Sequence, residues 1–93
     1  MHDRILKIFC EKIRTNQYIM TLHAEEEMDN DDLSIFDIEK CVLDGKITGR
    51  NRDTETGEWK YTVTGKSITG FDIGMITKLS LTGKMVVITV YKF

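Results

Sequence analysis

The stretch that decides the fold is residues 59–64, which read Trp59-Lys60-Tyr61-Thr62-Val63-Thr64. Large apolar side chains occupy every second position and polar side chains the positions between them. This period of two is typical of a β-strand with one buried and one solvated face. If helices cover the aromatic face, Lys60 looks out over the open side of the sheet. The stretch therefore predicts a sheet that is packed on one face.

Strand-like segments continue on both sides of this stretch. Residues 46–52 alternate weakly, residues 71–79 alternate again, and residues 85–91 form an apolar run, with turn signals between consecutive segments. Consecutive hairpin turns imply antiparallel pairing. The last run is apolar on both faces, which indicates a central strand that is covered, at least in part, on both sides. Together these segments predict a four-stranded antiparallel sheet.

Capping signals mark two helices in the acidic part of the chain. Thr21 suits the N-cap of a short helix that ends near residues 29–30. Ser34 followed by Asp37 reads as a capping box that opens the next helix, and Gly45 stops that helix as its C′ residue. These positions predict two helices before the first strand of the sheet.

The N-terminal segment completes the architecture. Between residues 3 and 14 apolar side chains recur every three or four positions, as in an amphipathic helix. Residues 18–21 are β-prone and fit either an edge strand or an extended link. The chain is therefore expected to fold as one α+β domain over residues 1–93, with N-terminal helices packed on one face of a four-stranded antiparallel sheet.

Composition narrows the class of protein. The 93 residues include no run of about 20 apolar residues, so no membrane span is expected and the expected location is cytoplasmic. The glycines match neither a P-loop nor a dinucleotide-binding pattern, and no cofactor is expected.

The net charge of −2 hides an uneven distribution. Residues 25–39 contain eight carboxylates and no Lys or Arg, so this segment carries −8 and the rest of the chain +6. Phosphate binding depends on the local field more than on the total charge. The composition is therefore compatible with a cationic face that binds RNA.

Four short motifs, in order, resemble a bacterial family catalogued as domain of unknown function 4258. They are residues 23–28 (His-Ala-Glu-Glu-Glu-Met), 33–39 (Leu-Ser-Ile-Phe-Asp-Ile-Glu), 43–47 (Leu-Asp-Gly-Lys-Ile) and 87–91 (Val-Ile-Thr-Val-Tyr). The resemblance implies a compact fold similar to RelE-like and MqsR-like toxins, which are typically ribonucleases neutralised by an antitoxin. An antitoxin protein and RNA are the partners it implies.

The sequence departs from the family pattern at two positions. Glu27 and Asp31 stand where many relatives have Arg. Two cations are thereby lost from the helix, which weakens any role of this face in holding phosphate.

Metal-independent RNA cleavage would need a base, an acid and cations around the phosphate. His23 is the histidine expected to lie inside the fold, and imidazole exchanges a proton near neutral pH. Lys60 and Tyr91 complete the catalytic candidates, with Tyr91 as a proton donor or a base-stacking platform. Arg50, Arg52 and Lys78 are the RNA-binding candidates.

Other interpretations of these residues stay open. His23 can fix the chain entry to a helix, strand lysines commonly blunt sheet edges, and Trp59 and Tyr91 fit core aromatics with one wet edge. His23, Glu26 and Glu27 have helical spacing, yet no second His or Cys completes a zinc set, so no metal is expected.

Two further hypotheses concern the whole domain. Residues 25–39 fit a non-catalytic interaction domain that docks a basic partner protein. Alternatively, the chain keeps a toxin-like fold in which acidic substitutions have abolished phosphate binding.

Overall fold

The protein folds as three helices and a five-stranded mixed sheet, described by a computed structural model over residues 3–93. The elements in chain order are α1 (Asp3–Arg14), β1 (Tyr18–Met20), α2 (Leu22–Asn30), α3 (Ile35–Asp44), β2 (Lys46–Arg52), β3 (Trp59–Lys66), β4 (Asp72–Leu79) and β5 (Met85–Lys92). The predicted α+β class is confirmed. None of the helices in this range is long and apolar enough to cross a bilayer.

The sheet has one strand more than the sequence predicted. Its order is β1-β5-β4-β3-β2, and β2 to β5 form the expected antiparallel meander. β1 runs parallel to β5, with Tyr18 beside Met85 and Met20 beside Val87, so the prediction of a purely antiparallel four-stranded sheet is wrong. Three residues form this strand through backbone pairing, which leaves only a weak pattern in the side chains.

The core lies between the helices and one face of the sheet. Phe9 of α1 packs its ring edge-to-face on Tyr61 of β3, with 5.7 Å between the ring centroids. The fully buried members of the cluster come from every layer: Phe9, Ala24, Ile38, Cys41, Val42, Val63, Ile73, Met75, Met85, Val87 and Val90. The predicted packing on one face is confirmed.

The opposite face of the sheet, called here the open face, is covered by none of the helices within residues 3–93. The pairing of Tyr61 with Thr77 and of Val63 with Met75 puts these four side chains on the helix side, so Lys60 points to the open face as predicted. β5 therefore has helices on one side only. On the open face Val86 lies between Ile19 of β1 and Lys78 of β4.

Both predicted N-caps are confirmed. Thr21 accepts a hydrogen bond from the Ala24 amide at 3.1 Å, and its hydroxyl donates to the Ile88 carbonyl at 2.9 Å. Ser34 and Asp37 form the capping box of α3. Thr21 thus both starts α2 and attaches it to β5.

Gly45 ends α3 for a different reason from the predicted one. Its φ of −93° is extended, not the left-handed conformation of a C′ glycine. A Cβ at this position would lie 2.1 Å from the Cys41 carbonyl oxygen and 2.3 Å from that of Thr64. Glycine is needed because the end of α3 passes directly against β3.

Candidate nucleic-acid interface

The six predicted site residues lie in three separate places. His23 is in the first turn of α2, beside β5. Tyr91, Lys60 and Lys78 are on the open face, whereas Arg50 and Arg52 share the helix-side face with Tyr61 and Trp59. The structure thus separates the two lysines from the two arginines across the sheet.

His23 lies on the surface. Its side chain is 65% exposed, and Nε2 lies 3.3 Å from Oε1 of Glu27 one turn along α2. The expectation that this histidine sits inside the fold is wrong. The other histidine, His2, lies outside the described residues. Within residues 3–93, the polar contact that positions the His23 side chain is its pair with Glu27.

Glu27 has a structural task. Its Oε1 accepts a hydrogen bond from the backbone N–H of Val90 at 3.0 Å. β1 pairs with only the first three residues of β5, so the edge of β5 is unpaired further along. The carboxylate satisfies an amide that would otherwise be unpaired at this edge. Glu27 therefore attaches α2 to the sheet.

Replacing Glu27 with alanine is expected to lower the free energy of unfolding by about 1 to 3 kcal/mol, because the amide of the buried Val90 loses its acceptor. Glu27→Gln keeps an oxygen acceptor and should lose less. Urea denaturation followed by circular dichroism measures both. Equal losses in the two variants would contradict the assigned hydrogen bond.

Lys60 and Lys78 are both ion-paired on the open face. Lys60 Nζ lies 3.1 Å from Asp53 and Lys78 Nζ lies 3.0 Å from Glu58. Both carboxylates belong to the loop between β2 and β3. The amide of Glu55 and then Lys60 hold the pKa of the Asp53 carboxyl below its usual range. These pairs compensate the charge of two cations predicted to contact phosphate.

Tyr91 lies far from Lys60 on the same face. Its ring crosses Gly74, where an added Cβ would meet the ring carbon Cζ at 2.6 Å. Gly74 pairs with Tyr91 on one side and with Thr64 of β3 on the other. Thr64 is four residues along β3 from Lys60, so the two positions are separated by about 13 Å along the strand. The structure therefore does not bring Tyr91 and Lys60 together at one reacting centre.

Arg50, Trp59 and Arg52 form a compact group at the β2–β3 end of the sheet, called here the Trp59 cluster. The guanidinium carbon of Arg50 lies 4.1 Å from the indole centroid, and that of Arg52 lies 5.5 Å from it. Arg52 Nε also donates to the Gly57 carbonyl at 3.1 Å. Within residues 3–93, neither arginine has a carboxylate partner at ion-pair distance.

Trp59 is the residue whose importance the sequence did not reveal. The residue is 38% exposed and lies outside the buried core cluster, so it has the expected wet edge but not a core position. Arg52 is its direct cross-strand neighbour, and Arg50 pairs with Tyr61 two residues further on. The register of the β2–β3 hairpin could have indicated this cluster from the sequence, because it places both arginines on the same face of the sheet as Trp59.

No metal site accompanies the cluster. In the part of the chain that the structure describes, no three His, Cys, Asp or Glu side chains converge into a group that could hold an ion.

Comparison with known proteins places the chain in a family. The profile of a domain of unknown function, DUF4258, matches residues 20–92, from β1 to the end of β5. No curated protein and no solved structure matches the chain. Because the match covers most of the sequence, the chain belongs to the DUF4258 family.

Proposed function

We propose that this protein binds single-stranded RNA in the bacterial cytoplasm, as the RNA-directed, toxin-like component of a module of the toxin–antitoxin type. The observation that carries the proposal is the Trp59 cluster, a partly exposed indole with two guanidinium groups that no carboxylate within residues 3–93 neutralises. The α+β fold and the resemblance to RelE-like and MqsR-like toxins support the choice of RNA.

The chemistry of the cluster suits an unpaired strand. An exposed aromatic ring stacks on a base of any sequence, and arginine contributes both a stacking plane and a charge for phosphate. Bases inside a duplex are already stacked on each other and leave their faces inaccessible. The cluster therefore favours single-stranded over double-stranded RNA.

Charge availability favours the cluster over the open face. Lys60, Lys66 and Lys78 each pair with a carboxylate, so phosphate would have to displace a bound partner there. Arg50 and Arg52 have no carboxylate to exchange, although they contact the Trp59 ring and Arg52 also donates to the Gly57 carbonyl. We therefore assign the contact with RNA to the two arginines and not to Lys78, which is ion-paired and lies on the other face of the sheet.

Binding is better supported than cleavage. His23, Lys60 and Tyr91 lie apart, and Lys60 is in an ion pair with Asp53. Cleavage by these residues, as in a metal-independent endoribonuclease, would require them to approach one phosphate. We therefore propose RNA binding as the function, and cleavage is tested separately.

The test is a titration of fluorescently labelled single-stranded RNA, followed by anisotropy. Trp59→Ala is expected to weaken binding about 5- to 150-fold, the loss of one base stack. The double variant Arg50→Ala with Arg52→Ala should also bind RNA more weakly. The slope of its log affinity against log salt concentration, measured between roughly 50 and 200 mM salt, should fall by the amount expected for the loss of about two phosphate contacts. The matched controls are Arg4→Ala and Phe36→Ala, exposed residues on α1 and α3.

Three results decide the matter. Binding that is equally strong in the Trp59→Ala and Phe36→Ala proteins would refute the assigned site. Absence of binding to any single-stranded RNA would refute the function itself. Cleavage products formed in EDTA, and lost in His23→Ala or Lys60→Ala, would instead establish the endoribonuclease activity.

One observation favours a second candidate, a non-catalytic domain that docks a basic partner such as an antitoxin. In residues 25–39 the carboxylates of Glu25, Glu26, Asp29 and Asp32 are exposed. None of them has a cation at ion-pair distance within residues 3–93. This candidate predicts no RNA affinity in the titration above.

A further inference from the structure

A cavity of about 440 Å³ opens at the end of β3 opposite Trp59. It lies where the C-terminal end of α3 meets the starts of β2 and β4. Its walls include Lys40, Lys46, Lys66, Asp44, Asp72 and Phe93. The volume is within the range of sites that hold small organic molecules, roughly 300 to 1,000 Å³.

Phe93 offers this cavity an exposed but positioned aromatic ring. The side chain is 74% exposed, yet its backbone N–H donates to the Asp72 carbonyl at 3.0 Å. The ring also packs edge-to-face on Tyr91, with 5.3 Å between centroids. A ring held in this way can stack a flat ligand with little loss of side-chain entropy.

The other walls suit a heterocyclic base. Lys40 pairs with Asp44, and Lys66 with Asp72, so the charges of these four lining residues are compensated. The two carboxylates remain available as acceptors for the amino groups of a base. Lys46 has no ion-pair partner in residues 3–93 and is free to contact a phosphate.

A cationic edge strand joins the cavity to the Trp59 cluster. β2 is an edge strand and carries no carboxylate. Arg50 and Arg52 lie on its helix-side face and Lys46, which pairs with Thr64, on its open face, so a bound RNA strand would pass along the exposed edge between the two faces. Trp59 and Lys66 are the two ends of β3, about 23 Å apart along the strand. At the stacked spacing of about 3.4 Å per nucleotide, this distance corresponds to roughly seven nucleotides, and to fewer in an extended strand.

We propose that the cavity beside Phe93 holds a second nucleobase of the same RNA strand that stacks on Trp59, with the intervening phosphates following β2. This inference rests on the proposed RNA-binding function and specifies its ligand. The ligand is a single strand long enough to reach from Trp59 to Phe93.

The test compares RNAs of two lengths, about 4 and about 12 nucleotides, so that only the longer one spans both sites. Phe93→Ala is expected to weaken the longer RNA about 5- to 150-fold and the shorter one less than about twofold. Trp59→Ala should weaken both. Phe36→Ala, the matched control with an equally exposed ring at 64%, should weaken neither. Unchanged thermal melting establishes that the variants fold.

The outcomes separate the two proposals. If Trp59→Ala weakens both RNAs while Phe93→Ala affects the two lengths equally or not at all, the cavity inference is overturned and the RNA-binding function stands. If neither RNA binds in a Trp59-dependent manner, the proposed function and this inference both fall.

Discussion

Replacing Gly45 with alanine is expected to lower the free energy of unfolding by at least about 3 kcal/mol. The added Cβ would lie 2.1 Å from the Cys41 carbonyl oxygen and 2.3 Å from that of Thr64. Both oxygens belong to the backbone, so no change of rotamer relieves the overlap. The end of α3 would have to move away from β3. For a domain of this size the loss corresponds to a fall of at least about 12 °C in melting temperature.

Gly49→Ala is the matched control for this prediction. Gly49 lies in β2 only four residues away, and a Cβ there would meet nothing within 4 Å. This substitution should change stability by less than about 1 kcal/mol, because alanine only restricts the unfolded chain. Thermal melting by circular dichroism compares the two proteins. A Gly45→Ala protein that melts within a few degrees of Gly49→Ala would show that α3 and β3 are not so closely packed.

The features that could be predicted from the sequence are those that depend on neighbours in the chain. Thr21 caps the amide of Ala24, and Ser34 and Asp37 cap each other across three residues. The end of α2 at Asn30 likewise falls where expected. Such contacts repeat with the local geometry of a helix start, so residue type and spacing suffice to find them.

Features that depend on distant pairing could not be predicted in the same way. β1 is three residues long and joins β5 about 65 residues later in the chain, through backbone groups that every residue has. The sequence predicts that Gly45 ends α3, but glycine is required there because the backbone of Thr64, 19 residues further along the chain, lies against it. Neither contact can be predicted from the spacing of residue types along the chain.

The same limit explains the candidate site. Alternation assigned Lys60 to the open face correctly, because a period of two fixes the face of each strand residue. It does not show how far along a strand the helix layer reaches. Trp59 is at the first position of β3 and is partly exposed, whereas Tyr61 and Val63, further along the same face, are buried. Exposure at a strand end is therefore a property of the fold.

The acidic segment also divides in a way that its composition did not reveal. Glu27 binds the Val90 amide, Glu39 accepts a hydrogen bond from the Tyr18 hydroxyl at 2.7 Å, and Asp37 caps α3. These three carboxylates stabilise the fold. The exposed carboxylates lie on α2, which packs on β5, and on the turn after it, whereas the Trp59 cluster lies on β2 and β3 towards the other edge of the sheet, so they do not oppose the proposed binding of RNA there.

Replacing Asp37 with alanine is expected to lower the free energy of unfolding by about 3 kcal/mol at neutral pH, because two backbone donors lose a charged acceptor. Asp37 is 8% exposed, and its carboxylate accepts hydrogen bonds from the amides of Ser34 and Ile68, each at 2.8 Å. The second bond attaches α3 to the turn between β3 and β4. Glu26→Ala, which removes an exposed carboxylate from the regular helix α2, is the control and should change stability by less than about 0.5 kcal/mol.

The contribution of Asp37 should depend on pH in a defined direction. Burial opposes ionisation of this carboxyl, but the hydrogen bonds from Ser34 and Ile68 outweigh it and lower the pKa of Asp37 below its usual range. A group whose pKa is lower in the folded state stabilises the protein above its unfolded pKa of about 3.9 and loses that effect as the pH falls through the folded pKa. The difference between the wild type and Asp37→Ala in urea denaturation should therefore be constant from about pH 5 to pH 7 and shrink below about pH 4. A difference that stays constant into the acid range would mean that the carboxylate charge contributes nothing to these bonds.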